Sequence, residues 1–110
     1  MDNQFVPVAD TGFFEELLSR SHEKPVIIFK HSSTCPISAA AYQQMSRIDG
    51  EIALVVVQRA REVSREVEAR TGVEHESPQT IILRNGKAVW SASHWSITSD
   101  AVSKAVEQNQ

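Results

Sequence analysis

Two short apolar runs, VIIF at residues 26–29 and IALVVVQ at 52–58, set the strongest constraint on what this chain can become. Both are rich in β-branched residues, and VIIF is too short and too evenly apolar for a half-exposed helix. Each therefore reads as a strand covered on both faces. Between them, PISAAAYQQMSRI at 36–48 predicts a helix. Pro36 stands at its first position, where a fixed φ and a missing N–H do no harm. Asp49-Gly50 ends it. Strand, helix and strand in this order make a parallel crossover unit, which places the chain in the α/β class.

The flanking segments extend that unit. Asp10 or Thr11 caps a helix through FFEELLSRS, where Phe13, Phe14, Leu17 and Leu18 recur at helical spacing. QFVPV at 4–8 adds an edge strand that tolerates Pro7. After the second buried strand, REVSREVEAR is an amphipathic helix stopping at Thr71-Gly72. The polar connection VEHES then leads to Pro78. QTIILR and KAVWSA are strand-like runs separated by Asn85-Gly86, a strong signal for a two-residue antiparallel hairpin. ITSDAVSKAVEQ closes the chain as a helix capped by Thr98 or Ser99, with Val102, Ala105 and Val106 on one face. The expected order is β-α-β-α-β-α-β-β-α, a central mixed sheet of four to five strands flanked by helices.

Length and composition limit the function. At 110 residues the expectation is one domain spanning 1–110, large enough to bury a core without disulfides or metals. Hydrophobic residues at 41% and charged residues at 23% fit a folded globular chain. A net charge of −3 gives nucleic acid no reason to bind. No apolar run approaches the roughly 18 to 20 residues of a membrane helix, and MDNQFVPVAD lacks the basic and apolar regions of a signal peptide. A cytoplasmic monomer is the expectation. One cysteine, Cys35, cannot form an internal disulfide or supply a thiolate metal cluster, so its sulfur chemistry must run between molecules.

A lone cysteine is most often a small buried hydrophobe. In SSTCPIS, however, the polar residues before Cys35 and the proline after it put the thiol at an exposed strand-to-helix junction. A free thiol with a pKa of about 8.5 is mostly protonated near neutral pH, and only the thiolate attacks sulfur. At a helix start, unpaired N–H groups and the positive end of the helix dipole favour the negative sulfur, so a depressed value is expected. Ser38, three residues on, can bring its hydroxyl near the same sulfur, although in isolation it reads as a helix-surface residue. Lys30 and His31 end the preceding strand, where a positive charge would act in the same sense if it faced the site.

The element order, the cysteine at that junction and the proline before the hairpin resemble the thioredoxin fold. Within it, FKHSSTCPIS and HESPQT resemble the YtxJ-type bacilliredoxins of bacillithiol-using bacteria, over nearly the whole chain. The resemblance implies a monothiol thiol-disulfide oxidoreductase that removes bacillithiol from S-bacillithiolated client proteins. It implies Cys35 as nucleophile, aided by Ser38, with Thr34, Pro36, His31, Ser77 and Pro78 contacting substrate. It also implies a cis bond before Pro78 that leaves the backbone at Ser77 free to pair with a guest strand. No bound cofactor is called for, and bacillithiol enters as co-substrate. With serine in place of a second cysteine, the exchange stops at a mixed disulfide. Competing readings are a thioredoxin-like interaction module without redox activity and a glutathione-type monothiol reductase.

Other residues carry blander readings. His75 with Glu74 and Glu76 lacks a second cluster at ligand spacing and reads as a solvated loop, without metal. Trp90 and Trp95 read as core or rim packing, with Trp95 a candidate for the site's border. The alternating charges of the 61–70 helix read as a salt-bridged solvent face.

Overall fold

The computed structural model describes residues 4–110. Strand β1 (Phe5–Pro7), helix α1 (Thr11–Arg20), β2 (Val26–His31), α2 (Pro36–Met45), β3 (Ile52–Val56), α3 (Arg61–Thr71), β4 (Gln79–Arg84), β5 (Lys87–Ser93) and α4 (Ser99–Gln108) follow one another in the expected order. A 3-10 turn, His94–Ser96, joins β5 to α4. The strands form one sheet in the order β1-β3-β2-β4-β5. Pairing is parallel from β1 through β3 to β2 and antiparallel from β2 through β4 to β5.

Period-two alternation divides the core between the two sheet faces. Val26 and Ile28 of β2 join Phe14, Leu17 and Leu18 of α1 and Val63 and Val67 of α3. Ile27 and Phe29 join Ala41 and Met45 of α2 and Val102 and Ala105 of α4 on the other side. The two central strands are thus covered on both faces, which explains their unbroken apolar runs.

Local chemistry sets the element ends. Asp10 caps α1 by accepting the Phe13 N–H at 2.8 Å, and Thr98 caps α4 by accepting the Ala101 N–H at 3.1 Å. Gly72 ends α3 in the left-handed region, φ +75°. Helix α2 stops at Met45, three residues short of the expected end. Ser46 becomes its C-cap, and Arg47 and Ile48 follow in i→i+3 turns that tuck Ile48 into the core. Asn85 and Gly86 both have positive φ, +58° and +76°, as a type I′ hairpin turn requires. The turn is pinned from below, because Ser21, fully buried, accepts the Asn85 N–H through its carbonyl and the Gly86 N–H through its hydroxyl. Further along the hairpin the register shifts at Ile82/Leu83, leaving Val89 of β5 without a partner.

Candidate active site

The site lies at the end of the sheet where β2 stops. There, in order across the sheet, Val56 of β3 pairs with His31 of β2, Gln79 of β4 pairs with Lys30, and Ser93 of β5 pairs with Gln79. The residues just beyond, Val57, Pro78 and His94, form the rim. Val57 N–H donates to the His31 carbonyl at 3.0 Å, and His94 N–H to the Pro78 carbonyl at 3.1 Å. His94 has φ +54°, uncommon for a residue with a Cβ, and its imidazole lies 3.4 Å from the Glu76 carboxylate.

Cys35 is the N-cap of α2, extended at φ −101° and ψ 123°, and half-buried. With Pro36 following, the first helical hydrogen bond runs from Ala39 N–H to the Cys35 carbonyl at 3.0 Å. The amides of Ile37 and Ser38 therefore have no acceptor within the helix. The loop before Cys35 is braced from outside. Gln58, beyond β3, accepts the Ser33 N–H at 3.2 Å and donates to the hydroxyls of Ser32 at 2.8 Å and Thr34 at 3.3 Å.

Ser38 differs from its surface reading. It is fully buried, and its hydroxyl is held by groups other than the thiol. It accepts the Ser32 N–H at 2.9 Å and lies 2.9 Å from Nδ1 of His31. His31 sits between the rings of Phe29 and Tyr42, at 5.6 and 5.1 Å, and burial pushes it below the ordinary imidazole value, towards the neutral form. A neutral His31 accepting the Ser38 proton at Nδ1 carries its own proton on Nε2. Ser38 thus ties the first turn of α2 to the end of β2 and to the loop between them.

Lys30 takes the opposite direction from His31, as neighbours on a strand must. Its side chain is fully buried on the α3 side, with Nζ 3.2 Å from both the Ser64 carbonyl and Nδ1 of His75. Burial pushes its ammonium down to about 8, with Glu68 acting in the other sense. Neither basic residue therefore stands as a free cation on the sulfur's side of the sheet, as the sequence had allowed.

The peptide bond between Ser77 and Pro78 is cis. Among the described residues, neither the backbone nor the buried hydroxyl of Ser77 has a hydrogen-bond partner. Trp90 packs half-buried against the α2/α4 core. Trp95 does not pack as expected: it is 69% exposed, on the 3-10 turn bonded to Pro78. Gln58 is the residue that sequence reasoning missed. Its partners are more than twenty positions away, and no local pattern announces them. Among the described residues, no group of three or more histidine, cysteine, aspartate or glutamate side chains could hold a metal ion. None of the helices among them is long and apolar enough to cross a membrane.

Residues 7–102 match the family described as monothiol bacilliredoxin BrxC. Among solved structures, the chain is similar to one described as "a putative oxidoreductase with a thioredoxin fold", with 33% identity, a TM-score of 0.85 and 93% of each chain covered. Thioredoxin from Trypanosoma brucei brucei superposes with a TM-score of 0.76 at 14% identity, over 98% of this chain and 92% of that one. Fasciola hepatica thioredoxin does so at 0.74 and 13%, over 94% and 98%. At such identities the thioredoxins share the fold alone.

Proposed function

Since the chain belongs to the monothiol bacilliredoxin family and is a thiol-disulfide oxidoreductase with a thioredoxin fold, we propose that Cys35 removes bacillithiol from S-bacillithiolated proteins. The observation that carries this reading is Cys35 at the N-cap of α2 as the sole cysteine of the chain, with Ser38 in the position from which a second thiol would act.

The chemistry is two exchanges. The Cys35 thiolate attacks the bacillithiol sulfur of the client's mixed disulfide; a Cys35–bacillithiol S–S bond forms, the client's S–S bond breaks, and the client leaves as thiolate. A second thiolate then attacks the adduct, forms its own disulfide with bacillithiol and restores Cys35. Electrons balance at each step, and the second thiol supplies those that reduce the client. Cys35 stands at the N-terminus of α2, where the amides of Ile37 and Ser38 have no helical acceptor. Ser38 acts as a positioning residue, because its hydroxyl is committed to His31 and Ser32. Thr34 and Pro36 flank the sulfur. The unpaired backbone at Ser77, beside Pro78, offers main-chain groups to an extended client segment, so that alignment needs no particular client side chain.

The test is to incubate the protein with a bacillithiolated client and with oxidised bacillithiol, and to weigh both products by mass spectrometry. One bacillithiol on Cys35 and release of a free client thiol are expected, with neither in Cys35→Ser. Absence of the adduct in the unmodified protein defeats the reading. A parallel reaction in which glutathione disulfide works as well or better reassigns the small thiol.

A further inference from the structure

The last two residues of β2, Lys30 and His31, point to opposite faces of the sheet, and each holds a different part of the rim. His31 works on the α2 side, where the Ser38 hydroxyl bonded to it also takes the Ser32 amide and so fixes the thiol loop to the first turn of α2. Lys30 works on the α3 side. Its ammonium, on a fully buried side chain, donates to the Ser64 carbonyl of α3 and to Nδ1 of His75, both at 3.2 Å. The charge of Glu68 on the same helix favours the protonated amine, and the Glu68 carboxylate also accepts the His75 N–H at 2.9 Å. His75 is thus held by its ring to β2 and by its main chain to α3.

That hold matters because residues 73–78 have little else to place them. They belong to no helix or strand. Among the described residues, their single bond from main chain to main chain is the one from the His94 N–H to the Pro78 carbonyl. The other bonds run through side chains: the Thr71 hydroxyl accepts the Val73 N–H, Glu68 accepts the His75 N–H, and the Gln79 amide donates to the Glu74 carbonyl. Only the bond from Lys30 ties this segment to β2, the strand that runs into the thiol loop. Space alone does not require a lysine there. Methionine would fill a similar volume without a buried charge, and what the ammonium adds is N–H donors aimed at α3 and at His75.

We infer that Lys30 is a positioning residue for client docking: it fixes His75, and through His75 the unpaired main chain at Ser77, relative to the thiol loop that His31 and Ser38 brace from the other face of the same strand. The inference rests on the proposed function for the docking of an extended client at Ser77. Being buried, Lys30 acts only through its neighbours.

The test separates docking from thiol chemistry. Transfer of bacillithiol from a bacillithiolated client is timed beside adduct formation with bis(2-hydroxyethyl) disulfide, which has no main chain to align, in the parent and in Lys30→Met, His75→Ala and the double variant. In the second reaction the Cys35 thiolate bonds to one half of the disulfide and the other half leaves as the thiolate of 2-mercaptoethanol. The client rate divided by the small-disulfide rate is expected to fall about tenfold in either single variant, the equivalent of about 1.4 kcal/mol. The double variant should fall no further, because both changes cut the same link. An unchanged ratio in the single variants, or losses that multiply in the double variant, overturns the inference. His75 is exposed, so His75→Ala keeps the fold and decides the matter if Lys30→Met does not fold.

Amide exchange followed by NMR gives a reading independent of any reaction. The His75 and His94 amides should exchange faster in Lys30→Met, while the Ser32 amide, held from the other face by Ser38, stays as it was. Unchanged exchange at His75, or equal quickening at Ser32, overturns the inference. A parent protein that takes no bacillithiol from the client defeats the proposed function instead, and amide exchange then decides the role of Lys30 alone.

Discussion

At the residue scale, Ser38 and Lys30 show how burial changes a reading taken from sequence. Ser38 looked like a surface residue or a donor to sulfur, yet its hydroxyl serves His31 and the Ser32 amide from a fully buried position. Ser38→Ala removes both bonds and leaves the Ser32 N–H unpaired, which is expected to cost about 1–2 kcal/mol in urea unfolding. Hydrogen exchange at Ser32 should quicken in parallel. That serine was legible by position alone, because no sequence pattern says which way the first turn of a helix faces. The divergence of Lys30 and His31 was legible in principle. In a strand read as buried on both faces, adjacent residues must point to opposite sides, so only one of the pair could face α2.

At the element scale, most boundaries followed from local chemistry visible in the sequence: the Asp10 and Thr98 caps, the glycine after α3 and the Asn-Gly turn. The end of α2 did not, since the core's demand for Ile48 overrides the helical pattern there. The brace from Gln58 belongs to the same class, a contact between elements distant in sequence. Gln58→Ala should leave global stability within about 0.5 kcal/mol, as for an exposed residue. The loop it holds is expected to loosen, so the Ser33 amide should exchange faster and Cys35 should form its adduct more slowly. Unchanged Ser33 exchange would show that the loop holds itself.

At the scale of the whole molecule, burial under the sheet's two faces makes stability depend on pH. Lys30 and His31 both hold a proton less readily in the folded chain than in the unfolded one. The unfolded chain therefore binds more protons, and stability rises with pH across each interval. For Lys30 the gain runs from about 8 up to the unfolded value of 10.5 and is lost as pH falls through about 8. For His31 it is present above the unfolded value of 6.5 and is lost as pH falls through its lower folded value. Lys30→Met, which replaces a buried charge by an apolar chain of similar length, is expected to be more stable than the parent at pH 7, by about 3 kcal/mol at most. The gap between the two should narrow as pH rises through about 8 and close only above 10.5. Urea midpoints at four or five pH values decide this, and a gap independent of pH would mean that the amine is not the cause.

Trp95 stands bare on a turn whose neighbouring residue is bonded to Pro78, while Trp90 sits half-covered against the α2/α4 core. Two indoles in such unequal surroundings give the protein a built-in optical gauge. The outer ring, 69% exposed, is expected to respond to whatever settles at the rim, and the inner one to supply a steadier background. Arrival and departure of a guest at the rim can thus be timed by intrinsic fluorescence without attaching a dye, and a Trp95→Phe variant shows which ring carries the signal.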